Sequence, residues 1–418
     1  MARRRTPVSV CCIVALVLGV LVSISVAGTA GAARSVRGFD GTTITVAGIG
    51  NLAQSSGTPV GVKARIQEFN DSQEIKGIKL AYAEFADDKG DPATALSETR
   101  RLVTQDQVFA IVGDASANNP GDYLKQQRVP YFGWAFDNTY CSNTIDKTIY
   151  GFGFNGCLVP DNPKVMPDIG FALYNYVKKQ TGKQHPTMAL FSGDTQTGKN
   201  TAKNQASAFQ GVGFDVVYAK GILPQTVGDY TPFVQDLVHA DNGKAPDVIT
   251  CAATIDCIAM YQLIKANGFT GTFSSALYSD FLIKSMAGST AFIFTENLTA
   301  KTPALDKLRA SVQAIKPGAA VDSGTAAGYT AADMFISALK TIAKKGKANI
   351  TPENLQAAAM NQTWKMPGLA GPTKYPQSVV APTPYCLGLV LSDGTAWNTV
   401  EPFACSAKRF PVLNKFQG

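Results

Sequence analysis

One stretch, Ile78 to Gly133, constrains the fold more than any other, because it writes strand, helix, strand, helix, strand in succession. Ile78-Lys-Leu-Ala-Tyr-Ala-Glu84 alternates apolar and polar residues, the period of a half-buried strand. Asp91 stands where an N-cap belongs, with Pro92 at the first helical position. Ala95, Thr99, Leu102 and Val103 then fall on one helical face. Val108-Phe-Ala-Ile-Val112 is a continuous apolar run ending at Gly113, the pattern of a buried parallel strand. A short helix after Pro120 and the strand Val129-Pro-Tyr-Phe132 complete the unit. Strands separated by single helices imply right-handed crossovers and a doubly wound α/β sheet. Ligands of such sheets sit at the carboxyl ends of the strands, here 113–117 and 133–137.

A second alternation follows. Helices are expected over 164–180, 198–210, 229–240 and 256–267, and strands over 187–191, 214–218, 247–250 and 271–275. The tail holds a strand from Ala291, helices over 305–315 and 326–343, and a Pro-rich, hairpin-like region from Pro367 to Phe410. Two such units in 418 residues, with no Gly/Ser linker between them, predict two similar Rossmann-like lobes joined by hinges.

The N-terminus reads as an export signal. Arg3, Arg4 and Arg5 precede an apolar run from Val8 to Val26, and the small residues from Ala27 to Ala33 offer a cleavage site. The apolar run is also nearly long enough to span a bilayer, so residues 1–33 are either a cleaved signal peptide or a retained anchor. The net charge of +7 drops by three, to +4, without those arginines, and no basic stripe interleaved with aromatics argues for nucleic acid. Six cysteines beyond Cys11 and Cys12 fall into sequence-local pairs: Cys141/Cys157, Cys251/Cys257 and Cys386/Cys405. Sequence alone does not fix their connectivity, but neighbour pairing suits an exported chain. A zinc site would need Cys-x2-Cys spacing, which is absent, and only His185 and His239 could assist.

The order of Ile44–Ala47, Gly61–Asn70, Ala86–Pro92, Arg101–Val108, Ala110–Gly113 and Arg128–Pro130, followed by Ala245–Val248, Gly328–Asp333 and Thr351–Leu355, resembles the type I solute-binding proteins of ABC importers. The branched-chain amino acid (Leu/Ile/Val)-binding group is the closest in pattern, and the likeness covers nearly all of the chain beyond about residue 40. It implies lobe 1 from 41–155 plus 291–363 and lobe 2 from 156–290 plus 364–412. It further implies an extracytoplasmic monomer that captures a small solute between the lobes and hands it to a membrane permease, without cofactor or covalent chemistry.

Candidate ligand-binding residues follow from that resemblance. Ser116, Ala117 and Asn118, with Asn119, occupy a shortened turn where the family presents a serine hydroxyl to a ligand carboxylate. Ala135, Phe136 and Asp137 stand where a small residue and a threonine are usual, so that hydroxyl is missing, and Trp134 and Phe136 add aromatic surface either to the ligand or to the hinge. Thr197, Tyr278 and Asp280 are the second-lobe candidates, and 51–58 is a further cleft loop. The ligand expected is an apolar or branched-chain amino acid, with an amide, an aromatic acid or a larger apolar molecule as the alternative.

Other chemistry finds little support. Gly193–Asn200 approaches a phosphate-binding loop but puts Asn200 where a magnesium-holding hydroxyl is required. Asp87, Asp88 and Asp91 read as turn and cap residues rather than a calcium loop. No G-x-S-x-G elbow exists for a hydrolase. A sensory ectodomain would share the two-lobe fold.

Overall fold

The computed structural model describes residues 36–416, apart from 119, 143–147, 225, 253–255 and 377–384. The expected signal or anchor, and Asn119, lie outside the described residues. No helix among the described residues is long and apolar enough to cross a membrane.

The chain opens with strand β1 (Thr43–Gly50), the short helix α1 (Leu52–Ser55) and helix α2 (Thr58–Asp71). Strand β2 (Lys79–Asp87), helix α3 (Pro92–Thr104), strand β3 (Ala110–Ala115), helix α4 (Gly121–Gln126), and strands β4 (Tyr131–Gly133) and β5 (Gly151–Gly153) follow. The strands form one parallel sheet in the order β2-β1-β3-β4-β5. Asp91 caps α3 as its position demands, its carboxylate accepting Thr94 N–H at 2.7 Å.

After the short strand β6 (Val165–Pro167) comes the second unit: α5 (Phe171–Thr181), β7 (Thr187–Gly193), α6 (Gln196–Val212), β8 (Asp215–Leu223), α7 (Thr231–Val238), β9 (Val248–Cys251), α8 (Cys257–Ala266), β10 (Thr272–Ser275) and β11 (Thr290–Ile293). Its sheet runs β8-β7-β9-β10-β11, which repeats the winding of the first. Each sheet therefore has a switch point where successive connections leave in opposite directions, at β1/β3 and at β7/β9. Ligand crevices form at such points.

Three helices return to the first sheet. These are α9 (Pro303–Ile315), α10 (Ser323–Ala343) and α11 (Pro352–Met360). Helix α10 is buried along most of its length and packs on α2. Their backbones meet at glycines: a Cβ on Gly328 would fall on the Thr58 carbonyl oxygen, and one on Gly61 on that of Thr325. Gly328→Ala should therefore lower stability, by about 1–3 kcal/mol through overpacking, although alanine gains about 1 kcal/mol of helix propensity. Urea unfolding of the variant reads the sign directly, and an increase in stability would refute the close contact.

The hairpin β12 (Thr363–Met366) and β13 (Ala370–Lys374) leads into the long antiparallel strands β14 (Tyr385–Ser392) and β15 (Trp397–Ser406), which extend the second sheet beyond β11. The last strand, β16 (Arg409–Pro411), pairs with β6. That pairing overturns the expected helix over 164–180, which begins only at Phe171. Pro163 and Pro167 lack the N–H a helix needs, and a partner strand from the far end of the chain takes the segment instead.

The cysteines pair as their spacing suggests: Cys141–Cys157, Cys251–Cys257 and Cys386–Cys405, with Cα separations of 5.2, 5.7 and 4.0 Å.

Candidate functional site

The carboxyl ends of the two sheets face each other. Trp134, just beyond β4, meets Phe294, just beyond β11, edge to face at 6.1 Å between ring centroids. Tyr278 and Asp280, beyond β10, lie within electrostatic reach of Asp322, the residue that caps α10 on the first-sheet side. Exposed apolar surface concentrates here. The large hydrophobic side chains that stand exposed among the described residues are Leu52, Phe136 and Phe281, at 38%, 38% and 71%, and each follows the carboxyl end of a strand, respectively β1, β4 and β10. Burying such faces is favourable, so the cleft offers an apolar body a place to dock.

The turn after β3 is built differently from an open serine site. Ser116 is buried and donates its hydroxyl to Asp88, while its oxygen accepts Asn118 N–H at 3.0 Å. Both hydrogen-bonding roles of that hydroxyl are thus taken within the protein. Ala117 is exposed beside it. Asp88, itself buried, also accepts Gly90 N–H at 2.8 Å. Asp87 accepts the N–H groups of Leu52 and Lys89, both at 3.0 Å. The acidic turn therefore spends its oxygens on backbone donors and on Ser116. Asp114, behind the turn, accepts the Tyr140 hydroxyl at 2.5 Å and Ser116 N–H at 3.1 Å. Burial pushes its carboxyl up to about 8, and the charges of Asp137 and Asp88 add to the rise against the hydrogen bonds.

After β4, Ala135 is buried in a left-handed conformation with φ 55°. That geometry turns the chain so that Phe136 stacks on Trp134, with centroids 5.1 Å apart and planes 7° from parallel. Asp137 turns back into the first lobe. Its Oδ1 accepts Thr139 N–H at 2.7 Å and caps the turn 138–140, while its buried Oδ2 has no hydrogen-bond partner among the described residues. Burial raises its carboxyl to about 6. The pattern Asp137-Asn-Thr139, an aspartate two residues before its N–H partner, is the sequence signal for that role.

On the second-sheet side Thr197 lies in the first turn of α6, whose N-cap is Thr195. Lys199 forms an exposed ion pair with Asp194 at 2.5 Å. Tyr278 is mostly buried. Its hydroxyl lies 3.3 Å from Asn297 Oδ1 and its ring is edge to face with Trp397, and burial pushes the hydroxyl up to about 12. Asp280 is exposed; its carbonyl accepts Ile283 N–H at 3.3 Å, and its carboxylate takes no hydrogen bond or ion pair among the described residues. His185 and His239 instead contact the carbonyls of Gly213 and Gln235, at 3.2 and 2.9 Å. Thr58 stands at the end of the expected cleft loop 51–58, whereas Asp322 is not among the residues that the sequence singles out, because only the packing of α10 on α2 brings it there.

These features define a class: a two-sheet α/β protein with opposed strand ends, arranged as in type I periplasmic binding proteins. The chain belongs to the periplasmic binding protein family, whose model matches residues 42–384. No curated protein matches the chain in sequence. Its fold is similar to that of a fatty acid ABC transporter substrate-binding protein from Thermomonospora curvata, with 17% identity over 89% of this chain and 95% of that one and a TM-score of 0.68. A possible leucine/isoleucine/valine-binding protein from Rhodopirellula baltica matches at 14% identity, covering 86% and 97% of the two chains, with a TM-score of 0.65. A solute-binding protein of an ABC transporter from R. palustris, in complex with 4-hydroxybenzoate, matches at 18% identity over 88% and 98%, with a TM-score of 0.64.

Proposed function

We propose that this protein is the extracytoplasmic solute-binding component of an ABC importer. The observation that carries the reading is the opposition of two strand-end edges bearing exposed Leu52, Phe136 and Phe281 within a chain of the periplasmic binding protein family. Lobe 1 comprises 41–155 together with the helices after β11, and lobe 2 comprises the second sheet with its antiparallel extension. Solute touching both edges favours the closed arrangement, and a permease reads that state. The protein acts as a monomer outside the cytoplasm and carries out no covalent chemistry.

The solute is a small molecule with a substantial apolar body. Branched-chain amino acids remain within this class by family. The internal engagement of Ser116 supports a wider range of apolar solutes, as does the likeness to a fatty acid transporter's binding protein and to one solved with 4-hydroxybenzoate. A thermal-shift screen of amino acids, amides, amines, fatty acids and aromatic acids tests the function. At 100 times its Kd a true ligand should stabilise the protein by about 2.7 kcal/mol. A screen in which every solute leaves the transition unmoved would refute the function.

A further inference from the structure

We propose that the second-sheet unit carries a binding site of its own, apart from the cleft, for a small anionic saccharide: a sugar ring bearing a carboxylate or a phosphate. The site is a groove of about 320 Å³ between α6 and the segments that flank the β6–β16 ribbon. That volume falls within the roughly 300–1,000 Å³ of small-molecule sites. The lining residues come from 162–164, 200–204 and 412–414, so the groove is complete within one unit and shares no residue with the strand ends that face the cleft.

Three ties set its walls. Asn204 donates its Nδ2 to the Pro160 carbonyl at 3.1 Å, Val412 N–H donates to the Lys164 carbonyl at 3.0 Å, and Leu413 N–H donates to the Ser207 hydroxyl at 2.9 Å.

Asn204 is the observation that points to a ligand. It is a polar side chain only 4% exposed, and it lines the groove. The Pro160 carbonyl can only accept, so the amide must present its nitrogen there. Its oxygen takes no hydrogen bond among the described residues and is left as an unused acceptor. A sugar hydroxyl in the groove supplies the donor that the protein does not. One turn earlier on the same helical face, Asn200 has the reverse polarity. Its oxygen accepts Gln196 Nε2 at 3.0 Å, which leaves its own N–H groups to donate. An acceptor and a donor side by side match a polyol, whose hydroxyls do both.

The charge of the groove points to an anion. Lys203 lies between the two amides in the helix, and Lys164 belongs to the other wall. Neither ammonium has an ion pair or a hydrogen bond among the described residues, and no carboxylate lines the groove. Two ammonium groups without a counter-charge raise the local concentration of anions. The exposed amides of Asn162 and Asn414 add hydroxyl partners, while buried Pro163 and half-buried Val412 offer the apolar face of a sugar ring a surface to rest on. A bare phosphate would use the lysines and leave the amides idle, and a neutral sugar would do the opposite.

Calorimetric titration of the purified protein with glucuronate, glucose 6-phosphate, glucose and inorganic phosphate tests this. The two anionic sugars should bind, and glucose and phosphate should each bind more weakly by about tenfold or more. Lys164→Gln and Lys203→Gln should each weaken glucuronate by about tenfold. Asn204→Ala should weaken both anionic sugars while leaving phosphate binding unchanged. The lysine variants remove no side-chain contact within the protein, so they read binding even where loss of the Pro160 tie unfolds the alanine variant. Dissociation constants above about 1 mM for both anionic sugars would overturn the proposal. Phosphate binding as tight as that of glucose 6-phosphate would overturn it too, marking an adventitious ion only. Glucuronate binding that both lysine variants leave unchanged would place the sugar elsewhere. Any solute found in the broad thermal-shift screen should shift Lys203→Gln as it shifts the native protein, and loss of that shift would contradict the separation of the groove from the cleft.

Discussion

Arg65→Ala should cost about 3–5 kcal/mol of stability, the loss expected when one member of a buried ion-pair network is removed. Arg65 is 5% exposed. Its guanidinium donates to both oxygens of Glu74, at 2.6 and 3.1 Å, and through Nε to Asp333 at 2.8 Å. Burial alone would disfavour the charge, but the two carboxylates outweigh it and hold the guanidinium more firmly protonated. Without the arginine, Glu74 retains Lys340, whereas Asp333 retains among the described residues the Trp364 indole N–H at 2.9 Å. The damage would spread, because Trp364 belongs to the hairpin that crosses between the sheets. That hairpin reaches back through the Tyr375 hydroxyl to the Gly153 carbonyl at 2.9 Å. Set against the 5–15 kcal/mol of a typical fold, such a loss is severe. Arg65→Lys keeps one charge but not the fork, and should fall between the alanine variant and the native protein. Equilibrium urea unfolding of the three proteins checks the order, and an alanine variant within about 1 kcal/mol of the native chain would contradict the network's role.

How much of this is legible in the sequence depends on the range of the interaction. The unit from Ile78 to Gly133 is set by local pattern, and its alternation, its Asp91 cap and its apolar strand each appear where expected. The fold class rests on equally local signals, and the three cysteine pairs are the neighbour pairs that the sequence favours without fixing. The segment 164–180 reads as helix from end to end, yet a strand from 409–411 claims its first residues, and nothing within the segment announces that partner. The cleft is harder still. Ser116 and Asp137 do stand at the expected strand ends, but whether a polar side chain faces ligand or protein depends on neighbours such as Asp88, 28 residues away from Ser116. Asp322 and Thr58 belong to elements far apart in sequence, and only the close crossing of α2 and α10 makes them neighbours. Local chemistry sets the frame, and long-range packing decides what the frame presents.

Asp114→Asn should abolish most of the stability loss that the native protein shows between about pH 6 and 8. The Asp114 carboxyl sits at the buried end of β3, 1% exposed, and burial raises it from 3.8 to about 8. Tyr140, Asp137 and Asp88 are the ionisable groups that bear on it, the tyrosine lowering it and the carboxylates raising it. Between those two values the folded protein keeps a proton that the unfolded chain has released. The folded state then binds more protons, so the free energy of unfolding must fall as pH rises. Asp137 pulls the same way but only up to about 6, which leaves the upper window to Asp114. Asparagine has no proton to lose; its one amide oxygen can still accept Ser116 N–H, and its amide N–H can donate to the Tyr140 hydroxyl oxygen in place of the bond that hydroxyl donates to Asp114. At pH 8 the variant should exceed the native protein by on the order of a few kcal/mol, each tenfold change in proton affinity being worth about 1.4 kcal/mol. Below about pH 4, where the carboxyl is neutral in both the folded and the unfolded chain, the two should be close, and the gap should widen as pH rises above it. Parallel stability curves from urea unfolding at pH 5, 6.5 and 8 would show instead that Asp114 is charged in the folded protein. The first-sheet strand end would then carry a buried anion directly behind the turn that faces the cleft.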